Sequence, residues 1–187
     1  KEEAKTSAEE AAVAQAIREV VKTRRPVAVP RKPNFKGEKD TESAILALGD
    51  LHYGEVVDET ATGGINSYNI DIAERRFEHT IETAIKMAKQ KLSSLYIPRL
   101  YVFGLGDWIS GLIIEDIDRY NEVQVMEQCF GCADMVERGL LKLCQSFEEV
   151  TFVGVGGNHA RLRPRVYFKM KAVESFDYLI YKLLEQR

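Results

Sequence analysis

The sequence predicts an α/β fold in which three parallel strands alternate with three helices in the order β-α-β-α-β-α. Three short apolar runs, at residues 44–48, 99–103 and 150–155, each lead into glycine and are too short to be buried helices. A segment of helical length follows each run. With this alternation, a parallel sheet with right-handed crossovers is the expected arrangement. Because the runs are apolar at nearly every position, we expect the strands to need cover on both faces of the sheet.

The three helices are indicated by apolar side chains that recur three or four residues apart. The first is predicted to be capped by Asp71 and to run to about Leu92, and the second to span residues 122–147. The third is predicted to begin near Lys169 and to include Val173. His79 lies in the first helix, away from the strand ends, and is interpreted as a surface residue.

Residues 1–42 differ in composition from the rest of the chain and are assigned to an N-terminal helix and a basic, proline-containing linker. Three of the five prolines, Pro26, Pro30 and Pro33, lie in this linker among lysine and arginine. Its basic side chains fit a solvated linker or a segment that contacts nucleic acid, and both interpretations stay open. Residues 43–187 show no internal boundary and are predicted to form one domain.

The composition is that of an ordinary globular protein. Of 187 residues, 45% are hydrophobic and 29% are charged, and the net charge is −3. This balance argues against a protein that is basic overall. No apolar run approaches the length of a membrane span and no signal-peptide pattern opens the chain, so we expect a cytoplasmic location without membrane contact.

Three cysteines, Cys129, Cys132 and Cys144, lie in the second predicted helix. The spacing of Cys129 and Cys132 occurs in redox pairs and in half of a zinc site. No second cysteine pair and no nearby histidine completes such a site. We therefore expect the cysteines to pack as small apolar side chains on the buried face of the helix.

Each apolar run is followed by glycine and by side chains that can ligate metal ions. Asp50 and His52 follow the first run, Asp107 follows the second, and Asn158 and His159 follow the third. Because the carboxyl ends of parallel strands meet at one edge of a sheet, these side chains are expected to converge on one pocket. Taken singly, each motif is also compatible with an ordinary turn or helix cap.

The combination of motifs resembles the calcineurin-like metallophosphoesterases, whose pattern is Asp-x-His, Gly-Asp and Gly-Asn-His after successive strands. The matching residues are 50–52, 106–107 and 157–159. The residues of the motifs are most similar to those of a phage and bacterial branch of the family that is related to DNA-repair exonucleases. The resemblance implies hydrolysis of phosphoester bonds at two divalent metal ions. Manganese is the first expectation, and iron, zinc and magnesium are the others.

The resemblance also implies a role for each matching residue. Asp50 and His52 would hold the first ion, Asp107 would bridge both ions, and Asn158 would hold the second ion and contact the substrate. His159 would not be a ligand but a general acid that protonates the leaving-group oxygen.

The substrate expected from the resemblance is a phosphodiester of DNA or RNA, and a small phosphoester is the alternative. Arg161 is the first candidate for binding substrate phosphates, because a guanidinium group can pair with two phosphate oxygens at once. Arg163 and Arg165 lie in the same segment, either as phosphate contacts or as solvated side chains.

Two departures from the family pattern shape the expectation. Ala160 stands where the family often has an acid, and no histidine follows His159, although the family completes its two-metal site with a C-terminal Gly-His-x-His motif. The chain is therefore expected to form about half of the family's α/β/β/α sandwich and to need its C-terminal half, a partner chain or a second copy.

Alone, the chain is expected to bind metal weakly, to hydrolyse little and to leave one face of the sheet short of apolar cover. A catalytically inactive scaffold or binding module is the alternative from a different functional class. Should the chain alone bind metal tightly, His79 and residues 115–118 would be the next candidate ligands.

Overall fold

The computed structural model describes residues 41–113, 119–165, 168–170 and 173–186. The predicted α/β fold and the β-α-β-α-β-α order of its elements are confirmed. The elements are β1 (Thr41–Leu48), α1 (Ile70–Lys86), β2 (Tyr96–Gly104), α2 (Val125–Ser146), β3 (Glu149–Gly154) and α3 (Phe176–Glu185). The N-terminal helix and nearly all of the linker predicted for residues 1–42 lie outside the described residues, and β1 begins at Thr41.

The three strands form a parallel sheet in the order β1-β2-β3. Leu46, Val102 and Phe152 lie side by side across the sheet, and so do Ala47, Phe103 and Val153 on the neighbouring row. Since successive side chains of a strand point to opposite faces, these two rows belong to the two faces of the sheet. The carboxyl ends of all three strands therefore lie at one edge, as the sequence predicts.

The two faces of the sheet differ in how well they are covered. Leu48, Leu100 and Val102 are buried in the core together with apolar side chains of α1 and α2. On the opposite face, Ile45 is 66% exposed and Val153 is 49% exposed. In the described part of the chain, one face of the sheet is thus short of apolar cover, as expected from strands that are apolar at nearly every position.

Helix α1 is amphipathic, and its buried side chains are Ala73, Phe77 and Ile81. Asn69 and not Asp71 caps it, because the Asn69 side chain accepts a hydrogen bond from the Ile72 nitrogen at 2.9 Å. The regular helix also ends before Leu92, because the chain passes into a π-helical turn over Met87–Lys91. His79 is exposed on α1, as predicted.

The third helix begins later than the sequence analysis predicts. A short 3-10 turn occupies Phe168–Met170, and α3 begins at Phe176. Two features explain the difference: the nitrogen of Val173 donates to the Met170 carbonyl in a turn, and Ser175 caps the new helix. The apolar spacing of Val173 and Phe176 is that of a helix, but the two residues lie on opposite sides of this cap.

All three cysteines lie on α2 and are free thiols. Cys129 and Cys132 are fully buried and Cys144 is half-buried, so the packing interpretation is confirmed for the first two. Burial raises the pKa of Cys129 to about 12 and that of Cys132 well above its ordinary value. Both shifts disfavour the thiolate, which is the form that takes part in redox exchange and metal ligation. No helix in the described ranges is long and apolar enough to cross a membrane.

Candidate functional site

The segments after β1 and β2 continue side by side beyond the sheet. We call residues 49–54 loop 1, residues 105–111 loop 2 and residues 155–161 loop 3. The nitrogen of Asp50 donates to the Gly106 carbonyl at 3.2 Å, and the nitrogen of His52 donates to the Asp107 carbonyl at 3.1 Å. Loops 1 and 2 therefore extend the β1–β2 pairing, which places two predicted ligands of loop 1 next to the predicted ligand of loop 2.

The predicted ligands in loops 1 and 2 share an unusual backbone conformation. Asp50 (φ 52°), His52 (φ 45°) and Asp107 (φ 53°) are the non-glycine residues with positive φ in the described part of the chain. Such a conformation costs about 1–3 kcal/mol per residue and persists only where the surroundings impose it. The hydrogen bonds between the two loops supply that constraint here, and strain of this kind is concentrated at functional sites.

Asp107 connects loop 2 to loop 3. Its side chain is only 9% exposed, and its Oδ1 accepts hydrogen bonds from the nitrogens of Asn158 at 2.7 Å and His159 at 2.6 Å. The loops approach so closely that a Cβ at Gly157 would overlap the Asp107 carboxylate. The glycine that precedes Asn158 and His159 is therefore required by packing.

The two histidines of the site are in direct contact. The rings of His52 and His159 lie 4.3 Å apart between centroids, with an interplanar angle of 70°. The Nδ1 atom of each ring is buried and has no aligned hydrogen-bond partner. A Glu55 carboxylate oxygen lies 3.3 Å from His52 Nδ1, near enough for an ion pair although not aligned as a hydrogen bond. Buried polar atoms without partners are rare in folded proteins, so both nitrogens are candidates to bind a water molecule or a ligand.

The structure thus brings the predicted site residues of all three loops into one chain of contacts. Asp50 contacts His52, His52 contacts His159, and the Asp107 carboxylate holds the backbone of Asn158 and His159. Their assigned roles stay predictions.

Part of this arrangement fits a divalent metal ion. Oδ1 of Asp50 and Nε2 of His52 lie 3.8 Å apart. One ion at about 2.0–2.2 Å from each donor could contact both, because two such bonds together span about 4 Å. Carboxylate, imidazole and amide donors also suit the metals that the resemblance implies. Among the described residues, however, no group of three or more His, Cys, Asp or Glu side chains is arranged to hold an ion. The fit is therefore that of an incomplete ligand set.

The alternative candidate ligands and the candidate substrate-binding arginines lie in different parts of the structure. His79 lies 3.4 Å from the Thr83 hydroxyl on the exposed surface of α1, and residues 115–118 lie outside the described residues. The Nε of Arg161 donates to the Asn158 carbonyl at 2.7 Å, so its guanidinium group lies against the backbone within loop 3. Arg163 and Arg165 are exposed.

Sequence reasoning missed Asp177, a fully buried residue in the first turn of α3. Its carboxylate accepts hydrogen bonds from the nitrogens of Asp107, Trp108 and Gly157, which belong to loops 2 and 3. Burial raises the pKa of Asp177 above its ordinary value, and the three N–H donors oppose this effect. Ser175 followed two residues later by an acid is a helix-start signal that could have identified it.

Comparisons with protein-family models, with curated proteins and with solved structures gave no match.

Proposed function

We propose that this chain carries part of the active site of a calcineurin-like metallophosphoesterase, a cytoplasmic enzyme that hydrolyses phosphoester bonds with two divalent metal ions. One observation supports the proposal most strongly. The non-glycine residues with left-handed backbone in the described ranges are Asp50, His52 and Asp107, which are three of the four ligands implied by the motif resemblance. Left-handed backbone at non-glycine residues is concentrated at functional sites, and here it coincides with residues that the resemblance implies as ligands.

Each side chain has a task that its surroundings support. Two divalent ions would neutralise the phosphate oxygens and lower the pKa of a water molecule. Asp50 and His52 would hold the first ion, Asp107 would contact both ions, and the amide oxygen of Asn158 would contact the second. The backbone nitrogens of loop 3 fix the orientation of the Asp107 carboxylate by hydrogen bonds to Oδ1.

His159 is the proposed general acid. A water molecule releases one proton to solvent and supplies the oxygen of the new bond to phosphorus, the bond to the leaving oxygen breaks, and His159 gives that oxygen a proton. The contact between the His159 ring and the His52 ring holds the acid beside the proposed ligand set.

The proposed substrate is a phosphodiester of nucleic acid, because the motifs are most similar to those of DNA-repair exonucleases and because Arg161 lies beside Asn158. A small phosphoester is the alternative within the same chemistry. Rates on single-stranded DNA, on RNA and on a nitrophenyl phosphate separate these choices.

The proposal is tested by manganese titration and hydrolysis assays on the protein that contains this chain, with Asp107→Asn as the test variant. Losing a bridging ligand should weaken manganese binding by about 100-fold or more, at or beyond the upper end of the loss seen for outer partners. Asp71→Asn is the matched control, because Asp71 is an exposed acid in the first turn of α1. Its metal affinity and rate should equal those of the wild type.

Two other results would point elsewhere. Equal manganese affinity in the Asp107→Asn variant and the wild type would contradict the site. Tight manganese binding without hydrolysis of any phosphoester would favour the inactive binding module.

A further inference from the structure

We infer that Asp177 is a positioning residue for the proposed site, whose carboxylate holds loops 2 and 3 in the geometry that Asp107, Asn158 and His159 require. The consequence for catalysis rests on the proposed function, whereas the coupling between the loops rests on the hydrogen bonds alone.

One carboxylate of α3 holds the backbone of both loops. Oδ2 of Asp177 accepts from the Asp107 nitrogen at 3.1 Å and from the Gly157 nitrogen at 2.8 Å, so a single oxygen joins loop 2 to loop 3. Oδ1 accepts from the Trp108 nitrogen at 3.1 Å. One of these three donors is the nitrogen of Asp107 itself. The other two belong to Trp108 and Gly157, which are adjacent in sequence to Asp107 and Asn158.

An ionised carboxylate suits position 177 best, because both of its oxygens must accept hydrogen bonds. A buried polar group is tolerated only when it is hydrogen-bonded, and Asp177 is fully buried. A carboxylate is an acceptor on both oxygens, whereas an amide of the same size must present a donor to one of the loops. Helix α3 is also tied to loop 3 directly, because the Phe176 nitrogen donates to the Ala160 carbonyl at 2.7 Å. Helix α3, loop 2 and loop 3 are therefore joined by backbone and carboxylate hydrogen bonds.

A second carboxylate, that of Asp107, also joins loop 2 to loop 3. The Asp107 nitrogen donates a hydrogen bond to the Asp177 carboxylate, and the Asp107 Oδ1 accepts hydrogen bonds from the nitrogens of Asn158 and His159. Removing the Asp177 carboxylate would leave three loop nitrogens without their acceptor and would free the Asp107 backbone. We expect the displacement to reach Asn158 and His159 through the Asp107 carboxylate.

The test compares Asp177→Asn with the wild type in the protein that contains this chain, with Asn69→Ala as the control. Asn69 caps α1 through one side-chain oxygen, so its loss weakens a helix start and leaves loops 2 and 3 untouched. In Asp177→Asn the amides of Asp107, Trp108 and Gly157 should lose hydrogen-exchange protection selectively. Manganese affinity should fall by about 10–100-fold, the range typical of lost outer partners. Asn69→Ala should keep both the protection of these amides and the metal affinity.

Two further measurements keep the inference testable if the Asp177→Asn variant does not fold. Asp177→Ser is smaller and leaves room for water, and it should give the same pattern. In the wild type, the three amide nitrogens should show scalar couplings through hydrogen bonds to the Asp177 carboxylate carbon, which requires no variant.

The outcomes separate this inference from the proposed function. Unchanged protection of the three amides in the variants, or absence of the couplings, overturns the inference. So does selective loss of protection with unchanged manganese affinity. If the wild-type protein binds no manganese, the proposed function fails. The hydrogen-exchange protection of the three amides then tests the loop coupling by itself.

Discussion

At the scale of single residues, the amino acids of the candidate site fit both the left-handed backbone conformation and the proposed role as metal ligands. Aspartate and histidine are among the few non-glycine residues that tolerate a left-handed backbone. Glycine at position 50, 52 or 107 would relax the chain but would remove the oxygen or nitrogen donor. The residue types at these positions are therefore the ones expected if both requirements act together.

His159→Ala should lower turnover and leave manganese affinity nearly unchanged, because the proposed role of His159 is to donate a proton and not to hold an ion. General acid catalysis is typically worth about 10²–10⁴-fold. The loss should be large for an alkyl phosphodiester, whose leaving oxygen is strongly basic, and small for an activated nitrophenyl ester. Steady-state rates on the two substrates check this.

Asp71→Asn, on the surface of α1, is again a suitable control for the His159 experiment. An equal loss on both substrates, or a loss of bound manganese, would contradict the role given to His159.

At the scale of elements, the site depends on how closely three loops pack where three strands end. A Cβ at Gly106 would overlap the backbone of Gly157, and Gly106 itself has a φ of 87°. Loop 2 therefore requires glycine at position 106 for two separate reasons, conformation and contact.

Gly106→Ala should destabilise the fold more than Gly64→Ala. Gly64 also has a positive φ, of 82°, but nothing lies within 4 Å of a Cβ placed there. Both variants carry the conformational penalty of about 1–2 kcal/mol. Gly106→Ala should lose about a further 1–3 kcal/mol because of overlap with loop 3. Urea unfolding measures the difference, and equal free energies of unfolding would show that the loops are less tightly packed than described.

The strands and the first two helices could be predicted because apolar spacing alone carries that information. Every strand end lies within three residues of its prediction. The start of α3 could not be found from apolar spacing, since Val173 and Phe176 are correctly spaced for a helix but are separated by the cap at Ser175. Local hydrogen bonds, which apolar spacing does not report, decide such boundaries.

That these candidate residues lie near one another could be predicted from the sequence, whereas the side chains that hold them in place could not. Asp50, His52, Asp107, Asn158 and His159 stand at strand ends, where the rule for parallel sheets expects ligand contacts. Asp177 lies far from them in sequence, and only the fold brings its carboxylate to loops 2 and 3. The contact of Glu55 with His52 likewise depends on the turn that loop 1 makes.

At the scale of the whole molecule, the uncovered sheet face is the feature that most needs explanation. Ile45 and Val153 are exposed on it, whereas the other face is buried beneath helices in the described ranges. Apolar patches on a protein surface mark sites of interaction, and these two side chains are candidates for part of such a patch. We expect this face to be covered by further polypeptide in the functional molecule.

Val153→Thr should leave the stability of the 187-residue chain within about 0.5 kcal/mol of the wild type, as is usual for exposed positions. Val102→Thr, on the covered face, should cost about 1–3 kcal/mol, because its hydroxyl would be buried without a partner. If further chain packs on the open face, Val153→Thr should become destabilising in the longer protein. A large loss in the 187-residue chain itself would show that this face is already covered.

The central claim is that Asp50, His52, Asp107 and Asn158 form one metal centre at the ends of the three strands. Anomalous scattering from crystals of the protein grown with manganese tests it most directly. The account predicts a manganese peak at bonding distance, about 2.0–2.2 Å, from Asp50, His52 and Asp107. A second peak should lie between Asp107 and Asn158, at about 3.5–4 Å from the first. Manganese bound only at other residues, or no manganese at these four side chains in the complete protein, would contradict the account.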